Sequence, residues 1–232
     1  MTDVTTIFEE HNVIPDVLPA GTKIPYNLGV HWPTVSLRAP AERLHRDQVQ
    51  EQPKVTTNFK PDGASGDEYV LLMVDPDLSR YNDGTFGQVR HWLVANATLN
   101  DAGDVILDDE DDDDDDDDDG SGAVAVSPYV GPAPLDARLV GAGARPSRYI
   151  FLLLRRPGGR TAAMLRGGFA GALGGDAQHV VDRMGFDTRA FVEANGLQVV
   201  AATFVFVEGN AKSTLANAAL LVSGAAQKAV GS

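Results

Sequence analysis

Two carboxylates and an imidazole flank a pair of apolar segments and could together form a site. Asp75 and Asp77 follow the apolar residues 69–74 (YVLLMV), and His91 opens a second apolar segment, residues 91–96 (HWLVAN). Uninterrupted apolar runs of this length predict buried strands. A hairpin between the two strands would return His91 to the corner that carries the acids. Such a group is compatible with ligand binding, with acid–base catalysis or with a divalent metal.

Pro76 lies between the two acids and predicts the end of the first strand. Proline lacks the backbone N–H that a sheet ladder uses, and its ring fixes φ. We therefore expect both carboxylates at a turn at one end of a rigid sheet.

Length and composition allow one sizeable globular core or two small ones, without disulfides. The chain has 232 residues, 43% of them hydrophobic, and no cysteine, which excludes disulfides and cysteine-based zinc sites. The N-terminal residues lack the basic and apolar regions of a secretory signal. No apolar run approaches the roughly 20 residues that a membrane-spanning helix needs. We expect a soluble, cytoplasmic protein.

The acidic charge is concentrated in one segment. Residues 108–119 (DDEDDDDDDDDD) hold 12 acids, so removing them from the net charge of −14 leaves −2 for the rest of the chain. Consecutive like charges cannot be buried together and repel one another, which predicts a disordered insertion. Either it is a solvated loop without a partner, or it binds a basic partner or cations. The sequence has no basic patch with interspersed aromatic residues, so nucleic-acid binding is not expected.

The remaining segments predict mainly strands with helices at the periphery, which favours an antiparallel β architecture. Extended segments are expected over residues 24–40, 53–59, 69–74, 91–96, 149–154 and 199–207. Helices are expected within residues 1–20, over 187–195 with Asp187 as the N-cap, and over 211–230, with one or two helical turns within 40–52.

Five separated motifs, taken in order, resemble the phosphatidylethanolamine-binding protein family, which includes the Raf kinase inhibitor protein and fungal carboxypeptidase Y inhibitor-like members. They are VDPD (74–77), HW (91–92), YVGPAP (129–134), SRYIFLLL (147–154) and FVEANGL…AATFVFV (191–207). The resemblance covers residues 7–208, and the last motif is most similar to fungal members.

The resemblance implies a mainly β fold, an antiparallel β-sandwich with a large central sheet, a smaller sheet and short peripheral helices. Residues 1–208 would form a single domain that contains the disordered acidic insertion 108–119, and residues 209–232 would form a C-terminal helical extension.

The implied function is non-enzymatic binding of an anionic small molecule or phospholipid head group. The protein would be a monomer without a cofactor or metal. It would regulate a protein partner, such as a kinase or a carboxypeptidase, with peripheral membrane contact.

The residues that the resemblance places around the ligand come from four of the motifs. They are Asp75, Pro76, Asp77, His91, Pro134, Ser147, Arg148 and Tyr149. Ser147 stands where the family usually has a histidine, so one wall of the pocket loses a side chain that could carry charge.

The roles of the charged residues leave alternatives open. In one hypothesis Asp75 orders His91 and the corner, and Asp77 faces the cationic end of a ligand. Arg148 either contacts the ligand or forms a structural ion pair with Asp75 or Asp77. Two other functions compete with simple ligand binding: inhibition of a serine carboxypeptidase, and a hydrolase or metal-dependent activity on the same scaffold. The sequence has no GxSxG motif to support a hydrolase.

Overall fold

A computed structural model of the chain describes residues 3–61, 68–77, 87–107, 123–134, 146–155 and 183–210. The acidic insertion expected at 108–119 and the helix expected at 211–230 lie outside the described residues. The domain boundaries expected at residues 208 and 209 stay a prediction.

The elements that the structure describes are mostly strands, as the sequence predicts. In chain order they are α1 (Val4–Glu10), α2 (Val13–Asp16), β1 (Tyr26–His31), β2 (Ser36–Leu37), β3 (Glu42–His45), β4 (Lys54–Thr57), β5 (Tyr69–Asp75), β6 (Val89–Leu99), β7 (Val105–Ile106), β8 (Val124–Ser127), β9 (Ser147–Arg155), α3 (Thr188–Ala194) and β10 (Gln198–Glu208). None of the described helices is long and apolar enough to cross a membrane.

The long strands β10, β9, β5 and β6 are consecutive neighbours at the centre of the sheet. The full order is β2-β1-β10-β9-β5-β6-β7, with β3 beside β10, β4 beside β1 and β8 beside β6. The three central pairings are antiparallel, whereas β10 pairs in parallel with β1 and β3. Every residue of β5 is buried, as are all residues of β9 except the last. The apolar runs in the sequence therefore mark strands that are covered on both faces.

Alternate side chains of the central strands enter two separate hydrophobic cores, because side chains along a strand point to opposite faces. Val70, Leu72 and Val74 pack in the core that contains residues of α1, α2 and α3. Leu71 and Met73 pack in the core that contains residues of β1, β2 and β4. The central sheet thus lies between helices on one face and smaller strands on the other, which confirms the expected sandwich.

The structure corrects the sequence-based expectations in two places. Residues 42–45 form β3 rather than helical turns because they pair in parallel with the end of β10. Only Arg46–Gln48 makes a short 3₁₀ turn. Strands β7 and β8 lie on either side of the acidic segment, where the sequence predicts no strand, and both pair with β6. The N-cap at Asp187 is confirmed, since its carboxylate accepts from the N–H groups of Arg189 and Ala190.

Candidate functional site

The corner after β5 has the turn that Pro76 predicts. Asp75 ends the strand, and its Oδ1 accepts a hydrogen bond of 2.7 Å from the backbone N–H of Asp77. All three residues of the corner are buried. The side chain of Asp75 therefore fixes the path of the chain through the corner.

Asp77 binds the guanidinium of Arg148 through both of its oxygens. Nη2 of Arg148 donates to Oδ1 at 2.7 Å, and Nε donates to Oδ2 at 2.9 Å. The backbone N–H of Arg148 donates to the same Oδ2 at 2.9 Å. This two-pronged geometry is the strong form of an arginine–carboxylate pair. The ion pair between Arg148 and Asp77 that the sequence offered as one alternative is therefore present, and a ligand contact of either residue stays a prediction.

A second carboxylate reaches the same guanidinium from the N-terminal segment. Nη1 of Arg148 donates to Oδ2 of Asp16 at 2.9 Å and to the backbone carbonyl of His11 at 3.0 Å. The side chain of Arg148 is 0% exposed, and that of Asp16 is 11% exposed. One buried cation is therefore shared by two carboxylates from distant parts of the chain.

Arg148 and Tyr149 point to opposite faces of the central sheet. Tyr149 packs in the core beside the smaller strands, together with Phe151. Ile150 and Leu152 pack in the core beside the helices, and Arg148 reaches Asp16 and His11 on that side. Because side chains alternate along a strand, the side chain of Arg148 lies on the helix-covered face of the sheet and that of Tyr149 on the other face. The family resemblance had placed both residues in one pocket.

Asp75 and Tyr149 are joined by a hydrogen bond between the carboxyl group and the phenol. Burial raises the pKa of Asp75 to about 7, and the negative charge of Asp77 adds to the increase. The Asp77 N–H, the Tyr149 hydroxyl and the Arg148 charge oppose the shift. The pKa of Tyr149 is raised well above its ordinary value, first by burial and then by Asp75. Asp75 therefore keeps its proton to a higher pH than an ordinary aspartate.

His91 is a neutral side chain in this environment. Its Nδ1 lies 2.8 Å from the carbonyl oxygen of Val130, and its ring meets the edge of Tyr149 at a centroid distance of 5.1 Å. Burial lowers the pKa of His91 to about 4, and the positive charge of Arg183 lowers it too, against the Val130 hydrogen bond. Because a carbonyl only accepts, the proton of the neutral ring is on Nδ1 and Nε2 is an acceptor.

Arg183 is a buried cation at the site that the sequence analysis missed. Its Nη1 donates to the carbonyl oxygens of His91 at 3.1 Å and Pro128 at 2.6 Å. In the sequence, Arg183 lies between the glycine-rich residues 167–175 and α3. It belongs to no motif and to no periodic pattern that would indicate a functional role.

Residues 129–134 lie beside His91 and Tyr149 and complete the site. The backbone N–H of Val130 donates to the carbonyl of His91, and the N–H of Ala133 donates to the Tyr149 hydroxyl at 3.2 Å. A Cβ on Gly131 would lie 2.8 Å from Cα of Gln50, so only glycine fits there without a shift. Pro134 is buried directly after Ala133.

Ser147 opens β9 opposite Val207 and is buried. The alternation along β9 places it on the Tyr149 face. The structure thus brings Asp75, His91 and Tyr149 together, with residues 130–134 beside them. Asp77 and Arg148 support this cluster from behind.

The competing metal interpretation gains no support from this geometry. Within the described ranges, no group of three or more histidine, aspartate or glutamate side chains is arranged to hold a metal ion. Asp77 is instead engaged with Arg148, and the ring of His91 packs on Tyr149.

An open groove of about 650 Å³ lies elsewhere, between β4 and β7. None of the expected site residues lines it. His31 does line it, and its two ring nitrogens lie 3.0 Å from the hydroxyls of Ser36 and Thr56. These contacts satisfy the imidazole and give it a structural role.

The fold and the buried cluster together define a β-sandwich protein with a polar site at one end of its central sheet. The family description "Phosphatidylethanolamine-binding protein" matches residues 15–205, which is most of the chain. The chain belongs to the phosphatidylethanolamine-binding protein family.

Solved structures show the same fold at low sequence identity. A carboxypeptidase Y inhibitor, solved in complex with its cognate proteinase, is 18% identical, with a TM-score of 0.66 over 89% of this chain and 95% of that one. A phosphatidylethanolamine-binding protein from Plasmodium vivax is 16% identical, with a TM-score of 0.65 over 90% and 98%. One from Plasmodium falciparum is 17% identical, with a TM-score of 0.58 over 88% and 96%.

The contacts of Asp77 predict a large loss of stability in Asp77→Asn. The amide leaves Asp16 to balance the Arg148 charge but loses the two-pronged contact, and hydrogen bonds to charged groups contribute about 1.5–3 kcal/mol each to the free energy of unfolding. Glu208→Gln is the control, because the Glu208–Arg43 pair is more than half exposed on both sides. It should lose less than about 1 kcal/mol. Urea unfolding measures both, and equal small losses would contradict the structural role of Asp77.

The raised pKa of Asp75 predicts a pH-dependent stability that Asp75→Asn removes. Since the folded state holds the proton more tightly, the contribution of Asp75 is full below its ordinary pKa of 3.8 and is lost as pH rises through about 7. The stability of wild type relative to Asp75→Asn should therefore fall between these pH values. The lowered pKa of His91 gives the free energy of unfolding the opposite pH dependence. This contribution is present in both proteins, so it cancels when they are compared. A flat or rising difference in urea unfolding would refute the assignment.

Proposed function

We propose that this chain is a non-enzymatic, cytoplasmic binding protein whose site takes the head group of a phospholipid or a related small anion. The observation that carries the proposal is the buried cluster of Asp75, His91 and Tyr149 at one end of the central sheet. Family membership supports the same ligand class. In this proposal, binding the ligand regulates a protein partner.

The protonation states of the cluster favour a ligand that carries its own protons. Nε2 of His91 is an acceptor, and Asp75 both donates and accepts near neutral pH because its pKa is about 7. The guanidinium of Arg148 is neutralised by two carboxylates behind the sheet. A phosphate monoanion or the ammonium of phosphoethanolamine therefore fits better than a fully ionised phosphate.

Ser147 limits the affinity in this proposal because a serine hydroxyl cannot carry charge. It is buried on the Tyr149 face, where a histidine would bring a second imidazole to the cluster. Hydrogen bonds to charged groups contribute about 1.5–3 kcal/mol, and 1.4 kcal/mol is a tenfold change in affinity.

A titration with phosphoethanolamine, followed by NMR, tests the proposal and the role of Ser147. Wild type should show saturable shifts at the amides of Asp75, His91 and Tyr149. Ser147→His should bind roughly tenfold more tightly, because its imidazole adds a hydrogen bond to the charged ligand. Ser147→Ala is the control and should not gain affinity. Wild type without saturable shifts at millimolar ligand would contradict the proposal, and an unchanged affinity in Ser147→His would contradict the role of Ser147.

Inhibition of a serine carboxypeptidase is the second candidate function. It is favoured by the similarity in fold to a carboxypeptidase Y inhibitor solved with its proteinase, which extends over most of both chains. An activity assay with carboxypeptidase Y decides the matter. Inhibition at nanomolar protein concentration would support this function, and full enzyme activity at micromolar protein would exclude it for that enzyme.

A further inference from the structure

The N-terminal segment, defined here as residues 3–18, is docked on the face of the sheet behind the proposed pocket. Phe8, Val13, Val17 and Leu18 are fully buried in the core on that face. The ring of His11 meets Phe204 and Phe206 edge-on, at centroid distances of 5.5 and 5.3 Å. The segment therefore has an apolar anchor that does not depend on the charged contacts.

A continuous series of polar contacts leads from this segment into the pocket. Asp16 binds Nη1 of Arg148 at 2.9 Å, and Arg148 binds both oxygens of Asp77. The N–H of Asp77 donates to Asp75, which shares a hydrogen bond with Tyr149. Four of these side chains are fully or almost fully buried, and Asp16 is 11% exposed. Charges in such an environment are poorly screened and interact over several ångströms.

The charge count behind the pocket changes if the segment leaves. With the segment docked, two carboxylates share one guanidinium, so the group of Asp16, Arg148 and Asp77 carries one net negative charge. Without Asp16, Arg148 and Asp77 balance each other. The surroundings of Asp75 then become one unit more positive.

We propose that the N-terminal segment regulates the pocket through Asp16: the docked segment weakens anion binding, and a bound anion in turn favours release of the segment. The second half follows from the first, because coupling between two binding equilibria is reciprocal. The inference rests on the proposed function, namely that the pocket binds an anion. A partner that captured the N-terminal segment would raise the affinity of the pocket for its ligand.

The electrostatics of Asp75 give this coupling a readout that needs no ligand. Asp75 faces Asp77, Arg148 and Tyr149, and the Arg148 charge lowers the pKa of Asp75. Asp16 offsets part of that charge in the wild type. Asp16→Asn should therefore lower the pKa of Asp75 below about 7. A purely structural role of Asp16 would not shift this titration in that direction.

The test compares wild type, Asp16→Asn and Glu10→Gln. Glu10 is an exposed acid of the same segment. Glu10→Gln therefore removes one negative charge, as Asp16→Asn does, but at a position away from Arg148. Acetate is the probe, at a pH of about 5.5, where acetate is mostly ionised and Asp75, with its raised pKa, is mostly protonated. Asp16→Asn should bind acetate about fivefold more tightly than wild type, within the range of typical allosteric couplings. Its Asp75 carboxyl, followed by carbon-detected NMR, should titrate at lower pH, and Glu10→Gln should match wild type in both.

The outcomes separate this inference from the proposed function. If wild type binds neither acetate nor phosphoethanolamine at millimolar concentration, the proposed function fails and the inference fails with it. If wild type binds but Asp16→Asn has unchanged or weaker affinity and an unshifted Asp75, the inference is wrong.

A second measurement uses the wild-type chain and decides the matter if Asp16→Asn does not fold. The N–H groups of Ile7, His11 and Val17 are hydrogen-bonded within the docked segment. Saturating acetate should speed their hydrogen exchange several-fold relative to amides of β9. Equal or slower exchange with acetate bound would overturn the inference.

Discussion

The buried guanidinium of Arg148 is the interaction on which the rest of the site depends. A charge that is fully removed from water is strongly destabilising unless carboxylates and hydrogen bonds compensate it. Asp77 and Asp16 provide the carboxylates, and the His11 carbonyl accepts a further hydrogen bond. These contacts join β9, the corner after β5 and the N-terminal segment. The corner that carries Asp75 is therefore positioned by an ion pair on the opposite face of the sheet.

The contacts of the two aspartates reduce the negative charge at this end of the central sheet. Asp77 is paired with Arg148 on the face opposite Tyr149, and burial raises the pKa of Asp75 to about 7. His91 stays uncharged because burial and Arg183 lower its pKa. The cluster on the Tyr149 face thus carries little fixed charge near neutral pH.

Local patterns were sufficient to predict the central strands and the corner. The apolar run 69–74, the proline at 76 and the N-cap at Asp187 each specify their local structure without distant partners. The face of Arg148 also followed from simple alternation along β9, although the family resemblance suggested otherwise. By contrast, the Asp16–Arg148 contact joins residues 132 positions apart, and β3 exists only because β10 pairs with it. No local pattern encodes such contacts, since they depend on the assembled sheet.

The charge state of His91 tests most directly whether burial keeps the cluster of Asp75, His91 and Tyr149 uncharged near neutral pH. Nitrogen-15 NMR of the imidazole distinguishes the charged ring from each neutral tautomer. At a pH of about 5.5 an ordinary histidine is mostly protonated. We expect His91 to remain neutral there, with its proton on Nδ1 facing the Val130 carbonyl. A protonated imidazolium at that pH, or a neutral ring with its proton on Nε2, would contradict this description of the site.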